Sequence, residues 1–224
     1  MAAKSKSSAK RLLIVDDHPM MRHGLAQLIG TEPDLKVVAE ADTAGQALAV
    51  VTKNPFDLAL LDISLPDKNG LELIKDLLAV RPGLLILVVS MHDEMIYAER
   101  VLRAGGRGYI MKQAGGEKFL HAIHQVLAGQ IYVSEKMSAR ILEIFSGHAA
   151  NHDGSPAQTL SDREFEVFEL IGQGIGTRDI AGQLHLSVKT VEVHRANIKK
   201  KLNLKTAPDL VRQAVRWFDS KNQP

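Results

Sequence analysis

The sequence predicts an α/β unit with a parallel sheet over residues 10–130, followed by an all-α unit over residues 160–222. Three observations carry this prediction. Short, nearly unbroken Leu/Ile/Val runs alternate with helical spacing through residue 128. A stretch rich in Gly, Ser, Asn and Pro interrupts the chain at 147–159. Everything after Leu160 is patterned only as helix. Runs that are apolar at every position belong to strands covered on both faces, as in parallel sheets with helices on each side.

Taken in order, strands are expected at Leu12–Val15, Lys36–Ala41, Leu58–Leu61, Leu84–Val89 and Gly108–Met111. Between them lie segments of helical period, such as Phe119, Leu120, Ile123 and Leu127. Five strand–helix units in so short a span fit a flavodoxin-like (βα)5 fold, whose ligands bind beyond the carboxyl ends of the strands. Residues 131–159 read as one more helix and a flexible linker. Ser161 and Glu164 form a capping box ahead of Phe165, Val167 and Leu170. Gly174 ends that helix, and Thr177 is expected to cap the next. Ile180, Ala181 and Leu184 give that second helix its inner face, and His185–Ser187 is the turn. Ser187 caps a third helix, Val188–Leu202, and Pro208 suits the first turn of a fourth.

Composition narrows the function. The chain has 224 residues, 45% hydrophobic and 24% charged, which is enough apolar content for packed cores. It contains no Cys, so disulfides, thiolate metal sites and Cys nucleophiles are excluded. Aromatics at 4% argue against the stacking platforms of single-strand and RNA binders. Every apolar run falls short of the ~18 residues of a membrane span. The basic, Ser-rich start leads into LLIV and then two aspartates rather than an export signal, so a cytoplasmic location is expected. Residues 12–128 hold eleven Lys and Arg against fifteen Asp and Glu, whereas 155–224 hold eleven against eight. Six cations fall within 189–205. An acidic first half and a basic cluster near the end point to two separate tasks.

The apolar runs stop at Asp16-Asp17, Asp62, Ser90 and Lys112. In a parallel sheet these ends are neighbours. Carboxylates that converge repel one another unless a cation sits among them, and hard oxygen donors without Cys favour Mg²⁺. With Lys112 beside them, the set suits a phosphoryl group. Asp62 can act as nucleophile, Mg²⁺ and Lys112 neutralise charge on the phosphoryl oxygens, and the Ser90 hydroxyl can bond the product.

This run resembles the receiver domain of bacterial two-component response regulators over roughly residues 10–130. The resemblance implies that Asp62 is the phosphoacceptor and that Asp16 and Asp17 are the acidic pair, with Asp17 directly on Mg²⁺. It implies the Ser64 carbonyl as a further ligand, Lys112 as the residue that senses the phosphoryl group, and Ser90 with Tyr109 as the switch pair. It further implies a sensor histidine kinase as phosphoryl donor. Two positions depart from the pattern. Met91 stands where small residues are common, and it is expected to restrict access to Asp62. Gln113 stands where many receivers have proline.

In the helix from Val188, the residues Val191, Ile198 and Leu202 share one face. The opposite face carries Lys189, Glu192, Val193, Ala196 and Lys200, with Lys199 at its edge. An apolar Val193 on a polar face can meet a thymine methyl, Glu192 can accept from a cytosine amino group, and Lys189 or Lys200 can reach phosphates or guanine. The segment from Leu160 to Leu202, and KTVEVHRANI above all, resembles the LuxR-type helix-turn-helix; the two units together resemble the NarL/FixJ class. This implies sequence-specific binding of double-stranded DNA as a homodimer, with Ala207–Phe218 available for the dimer contact. By position, Glu192, Val193 and Ala196 face bases, while Lys189, Thr190, Arg195 and Lys199 lie nearer the backbone.

Two other functions compete. A Mg²⁺-dependent phosphatase with an aspartate nucleophile would want a second aspartate two residues on, where this chain has Ser64, which cannot serve as general acid. A DNA-binding regulator that works without phosphorylation would not need the full acidic set. The chain is therefore expected to be a regulator rather than an enzyme. The pairs His121/His124 and His148/His152 have spacings seen in metal sites but are expected to be surface histidines.

Overall fold

The computed structural model describes residues 9–146 and 156–222. The chain divides between residues 148 and 149 into two compact units. Most of the linker predicted at 147–159, with His148 and His152, lies outside the described residues. Within that linker, Pro156–Thr159 forms one short helical turn, α7.

The first unit is a five-stranded parallel sheet in the order β2-β1-β3-β4-β5. Its strands are β1 (Lys10–Val15), β2 (Leu35–Ala41), β3 (Leu58–Leu61), β4 (Leu85–Ser90) and β5 (Gly108–Met111). The helices are α1 (Pro19–Ile29), α2 (Ala44–Lys53), α3 (Gly70–Val80), α4 (Glu94–Ala104) and α5 (Gly116–Leu127). The predicted strands are all present, with ends shifted by no more than two residues. Alternation along each strand splits the core in two. Leu12, Ile14, Leu58, Leu60, Leu87, Val89 and Ile110 pack with Leu25 and Ile29 of α1 and with Phe119, Ile123 and Val126 of α5. The alternate residues, Leu13, Val15, Ala59, Leu61, Ile86 and Val88, are equally buried against the other side. At roughly 2 kcal/mol for each large side chain removed from water, burial on both faces is what makes these runs strands.

Strand order places β1 and β3 side by side at the centre and β4 and β5 next to them, so the residues that follow β1, β3, β4 and β5 meet at one end of the sheet. Asp16 N–H bonds the Ala41 carbonyl, Asp62 N–H the Val15 carbonyl, and Lys112 N–H the Ser90 carbonyl. These bonds fix the backbone of the three polar residues one step beyond the strands. Behind Asp62 the loop packs tightly on α3. A Cβ on Gly70 would press into the Asp62 carbonyl and lie 2.6 Å from Ile63 Cα, so only glycine fits.

Beyond α5 the chain returns to the sheet. Tyr132 accepts from Tyr109 N–H and donates to the Arg107 carbonyl, which extends the edge of β5 by a short bridge. Ser134 N–H then bonds the Glu94 carboxylate at 2.7 Å, and α6 (Glu135–Phe145) begins. Met137 of α6 is fully buried.

The second unit contains α8 (Asp162–Gly172), α9 (Thr177–Gln183), α10 (Val188–Lys201) and α11 (Ala207–Asn222). The capping box is formed. Ser161 Oγ accepts from Glu164 N–H, and Ser161 N–H donates to the Glu164 carboxylate at 2.8 Å. Phe165 and Phe168 meet Trp217 of α11 edge-on, at centroid distances of 5.3 and 5.8 Å. Pro208 is the second residue of α11. One expectation fails: Thr177 does not cap α9. The extended Gly176 holds the cap position with no side-chain bond, and Thr177 is already the first helical residue. The left-handed turn at Gly174 (φ +80°) leaves room for only one more residue before the cap.

Candidate functional site

Asp16 is 2% exposed, Asp62 3% and Ser90 0%. Lys112 Nζ stands 2.7 Å from Asp62 Oδ2 and 2.7 Å from Asp16 Oδ2, so one buried ammonium bridges two buried carboxylates. Asp17 is more open and pairs with His18 Nδ1 at 2.6 Å. Ligating atoms of Asp16, Asp17, His18 and Asp62 all lie within 4.8 Å of one another. The residues that end β1, β3, β4 and β5 are thus brought together in one pocket.

Electrostatics there are unbalanced. Burial pushes the Asp62 carboxyl above the ordinary carboxylate range, the charge of Asp16 adds to this, and Lys112 opposes it. Burial alone would depress the Lys112 ammonium, but the two carboxylates raise it above its usual value, so it stays charged. Three carboxylates face one ammonium. Asp62 Oδ1 is buried without a hydrogen-bond partner, and Asp16 Oδ2 touches Lys112 without hydrogen-bond alignment. Uncompensated negative charge plus an unpartnered buried oxygen fits a hard divalent cation.

Tyr109 is fully buried, with its ring packed inward. Its hydroxyl donates to the His92 carbonyl at 2.8 Å, and burial together with nearby acidic groups pushes the phenol well above its ordinary pKa. His92 N–H donates to Ser90 Oγ at 3.3 Å, and the His92 ring bonds Ser64 Oγ at 2.9 Å and lies tilted against Tyr97, with centroids 4.6 Å apart. His92 therefore ties the loop after β3 to the loop after β4. Nothing in the sequence pattern marks this role beyond proximity to Ser90. Met91 is 58% exposed, so it forms part of the rim rather than a buried cover.

On α10, Ser187 caps the helix and Val191 and Ile198 are fully buried against the unit's core. Lys189, Glu192, Val193, Ala196 and Lys200 are exposed on the opposite side, Val193 by 52%. Thr190, Arg195 and Lys199 are half-buried at its flanks. Lys201 differs from its neighbours in the basic cluster: its Nζ pairs with Glu164 at 2.7 Å and so fastens α10 to the capping box of α8. Arg163 also escapes sequence patterning. It bonds Glu166 at 2.8 Å and the Leu184 carbonyl at 2.6 Å, which holds the turn between α9 and α10. The second His-containing cluster, His124 with Glu32 and Asp34, is looser, at 3.5 and 3.8 Å.

Comparison with known proteins agrees with both units. Residues 12–124 match the response regulator receiver domain, and residues 158–214 match the luxR family of bacterial regulatory proteins. The chain is 37% identical over 210 residues to the oxygen regulatory protein NreC of Staphylococcus haemolyticus, covering 92% of this chain and 97% of that one. It is 36% identical over 206 residues to the transcriptional regulatory protein UhpA of Escherichia coli, covering 92% and 96%. Among solved structures it is similar in fold to RcsB of Salmonella enterica bound to a promoter, with a TM-score of 0.65, 23% identity, and 95% and 100% of the chains covered. With a receiver and a LuxR-type DNA-binding domain in this order, and relatives of this class along nearly its whole length, the chain belongs to the NarL/FixJ family of two-component response regulators.

Proposed function

We propose that Asp62 accepts a phosphoryl group from a sensor histidine kinase and that this event controls binding of the α10 face to double-stranded DNA. The observation that carries the reading is the buried, unpartnered Asp62 Oδ1 beside Lys112, at the mouth of an acidic cluster. Asp16, Asp17 and Asp62, with the Ser64 carbonyl, would hold Mg²⁺. When bound, the ion offsets negative charge on the transferring phosphoryl group. Asp62 attacks phosphorus as the bond to the donor nitrogen breaks, and the proton that the leaving imidazole needs comes from solvent or the donor's own acid. Lys112 then pairs with the new phosphoryl oxygens rather than with Asp62. The Ser90 hydroxyl turns from His92 N–H toward the phosphate, and the inward Tyr109 ring keeps that space filled.

In the second unit, Glu192, Val193 and Ala196 face base edges in the major groove. Lys189, Thr190, Arg195, Lys199 and Lys200 meet the backbone or guanine. Dimerisation places two such helices on an inverted repeat, with α11, whose Val211 is 40% exposed, available for the contact. The chain acts as a regulator, not as a turnover enzyme, and works in the cytoplasm. Among the described residues, no helix is long and apolar enough to cross a membrane.

The test is incubation with Mg²⁺ and acetyl phosphate, followed by selection of bound DNA from a random pool. Wild type should take up phosphate and enrich one operator more strongly when phosphorylated, and Asp62→Asn should do neither. Equal labelling of the two proteins removes Asp62 from the role. Equal operator enrichment with and without phosphate favours a regulator that binds DNA independently of phosphorylation.

A further inference from the structure

The ring of His18 faces the acidic pair instead of capping the helix that follows it. The residue holds the N-cap position of α1 (φ −87°, ψ 108°) but makes no side-chain cap bond, and Pro19 opens the helix in its place. Its backbone N–H donates to Asp16 Oδ1 at 2.8 Å, which turns the ring back over the acidic pair. Nδ1 then lies 2.6 Å from Asp17 Oδ1 and 3.2 Å from Asp16 Oδ1. Donors bonded to one ion at about 2.1 Å stand about 3 Å apart when adjacent and about 4.2 Å apart when opposite. The four ligating atoms of Asp16, Asp17, His18 and Asp62 all lie within 4.8 Å of one another, so small side-chain movements bring them onto one ion. Within this set Asp62 is 3% exposed, and although its Oδ2 pairs with Lys112, its Oδ1 is buried without a hydrogen-bond partner and open to an ion. The ring of His18 is 66% exposed, so an ion from solvent meets it first.

We infer that His18 supplies an imidazole nitrogen to the divalent-ion site and thereby sets which metal the receiver prefers. The inference rests on reading the pocket as an ion site. Mg²⁺ takes carboxylates, carbonyls and water and gains little from imidazole, whereas later first-row ions bind imidazole nitrogen well. A pocket of carboxylates alone discriminates weakly among such ions. Adding one nitrogen shifts the preference toward borderline ions such as Co²⁺ while Mg²⁺ binding persists through the oxygens. His18 is thus a specificity-determining residue for the metal that loads the phosphorylation site.

The experiment is calorimetric titration of the full chain with MgCl₂ and, separately, CoCl₂. The CoCl₂ titration is repeated in excess Mg²⁺, so that only cobalt competing for this pocket is counted. Wild type and His18→Ala are compared at one pH. The expected result is a fall of at least tenfold in the competing Co²⁺ affinity of His18→Ala, with Mg²⁺ affinity changed less than twofold. The cobalt d–d absorption of wild type should also change on substitution, as a nitrogen donor leaves. Equal losses for both metals would reduce His18 to a residue that positions Asp17 and overturn the inference. Unchanged affinities for both, or Co²⁺ that Mg²⁺ fails to displace, would overturn it as well. If the wild-type chain binds no Mg²⁺ at all, the reading of the pocket falls, and the inference with it.

Discussion

In the receiver unit the groups proposed to act lie beneath the surface. Asp16, Asp62 and Ser90 are almost wholly buried, and Lys112, just beyond β5, reaches Asp16 and Asp62 beyond β1 and β3. In the C-terminal unit the groups proposed to act stand outside. Val191 and Ile198 anchor α10, while Glu192, Val193 and Ala196 touch no core. The contrast teaches where stability and function are coupled. A buried charged site cannot be altered without changing the fold's free energy, because each charge there relies on its neighbours. An exposed reading face can be rewritten almost freely, because the fold rests on the opposite side of the same helix.

The sharpest way to break this comparison is Lys112→Met. It leaves two buried carboxylates facing each other and should destabilise the receiver by about 3–5 kcal/mol in metal-free urea unfolding. Millimolar Mg²⁺ should return part of the loss. Unfolding indistinguishable from wild type would mean that the pocket is wetter than its burial implies.

Glu164→Gln should cost about 1–2 kcal/mol, since it weakens the capping box and removes the partner of Lys201. Burial alone would raise the Glu164 carboxyl, but Lys201 and the Ser161 N–H overcome this and hold it below the ordinary range. A carboxylate lowered in the folded state stabilises above its unfolded pKa and loses that contribution as pH falls through the folded one. The gap between wild type and variant should therefore be full at neutral pH and close on acidification below about pH 4.5. Trp217 fluorescence is a suitable reporter, because Trp217 packs on the helix that carries Glu164.

Asp62→Asn should act in the opposite direction. The Asp62 carboxyl is raised in the folded state, so its ionisation works against folding once pH exceeds the ordinary range. Without divalent ions and at neutral pH, the variant should be more stable than wild type by on the order of 1 kcal/mol, with the gain shrinking toward pH 4. A loss of stability would show that the Lys112 bond outweighs burial.

The smallest effects on folding belong to the outer face of α10. Val193→Ala and Lys189→Ala should each leave stability within about 0.5 kcal/mol of wild type. They should separate in DNA binding. Lys189→Ala should weaken all sequences alike and lower the salt slope by about one, whereas Val193→Ala should weaken only sites with thymine at one position. A melting change as large as that of Glu164→Gln would place these residues in the core and undo the comparison.

Much of this was legible in the sequence because it depends on local patterning. Continuous apolar runs mark strands buried on both faces, and the polar residues ending them must meet once the sheet is parallel; hence Asp16, Asp62, Ser90 and Lys112 follow from patterning alone. The capping box of Ser161 and Glu164 is equally local. What could not be read are the bonds set by tertiary approach. Arg163 reaching the Leu184 carbonyl, Lys201 leaving the basic face for Glu164, and His92 joining Ser64 to the β4–α4 loop pair residues that no periodicity relates. Thr177 misled because Gly176 and Thr177 are adjacent and both suit a cap, and the turn at Gly174 decided between them.

The bridge between Tyr132 and β5 bears on how the first unit can be excised. A fragment that stops at residue 130 would strip the Tyr109 N–H and the Arg107 carbonyl of their main-chain partners, leave Glu94 without the Ser134 amide, and remove α6, which packs beside α4 and carries the buried Met137. An unpaired strand edge next to bared apolar surface invites self-association. A fragment carried through residue 146 keeps that border closed, and self-association measured on it then reports on the receiver rather than on the cut.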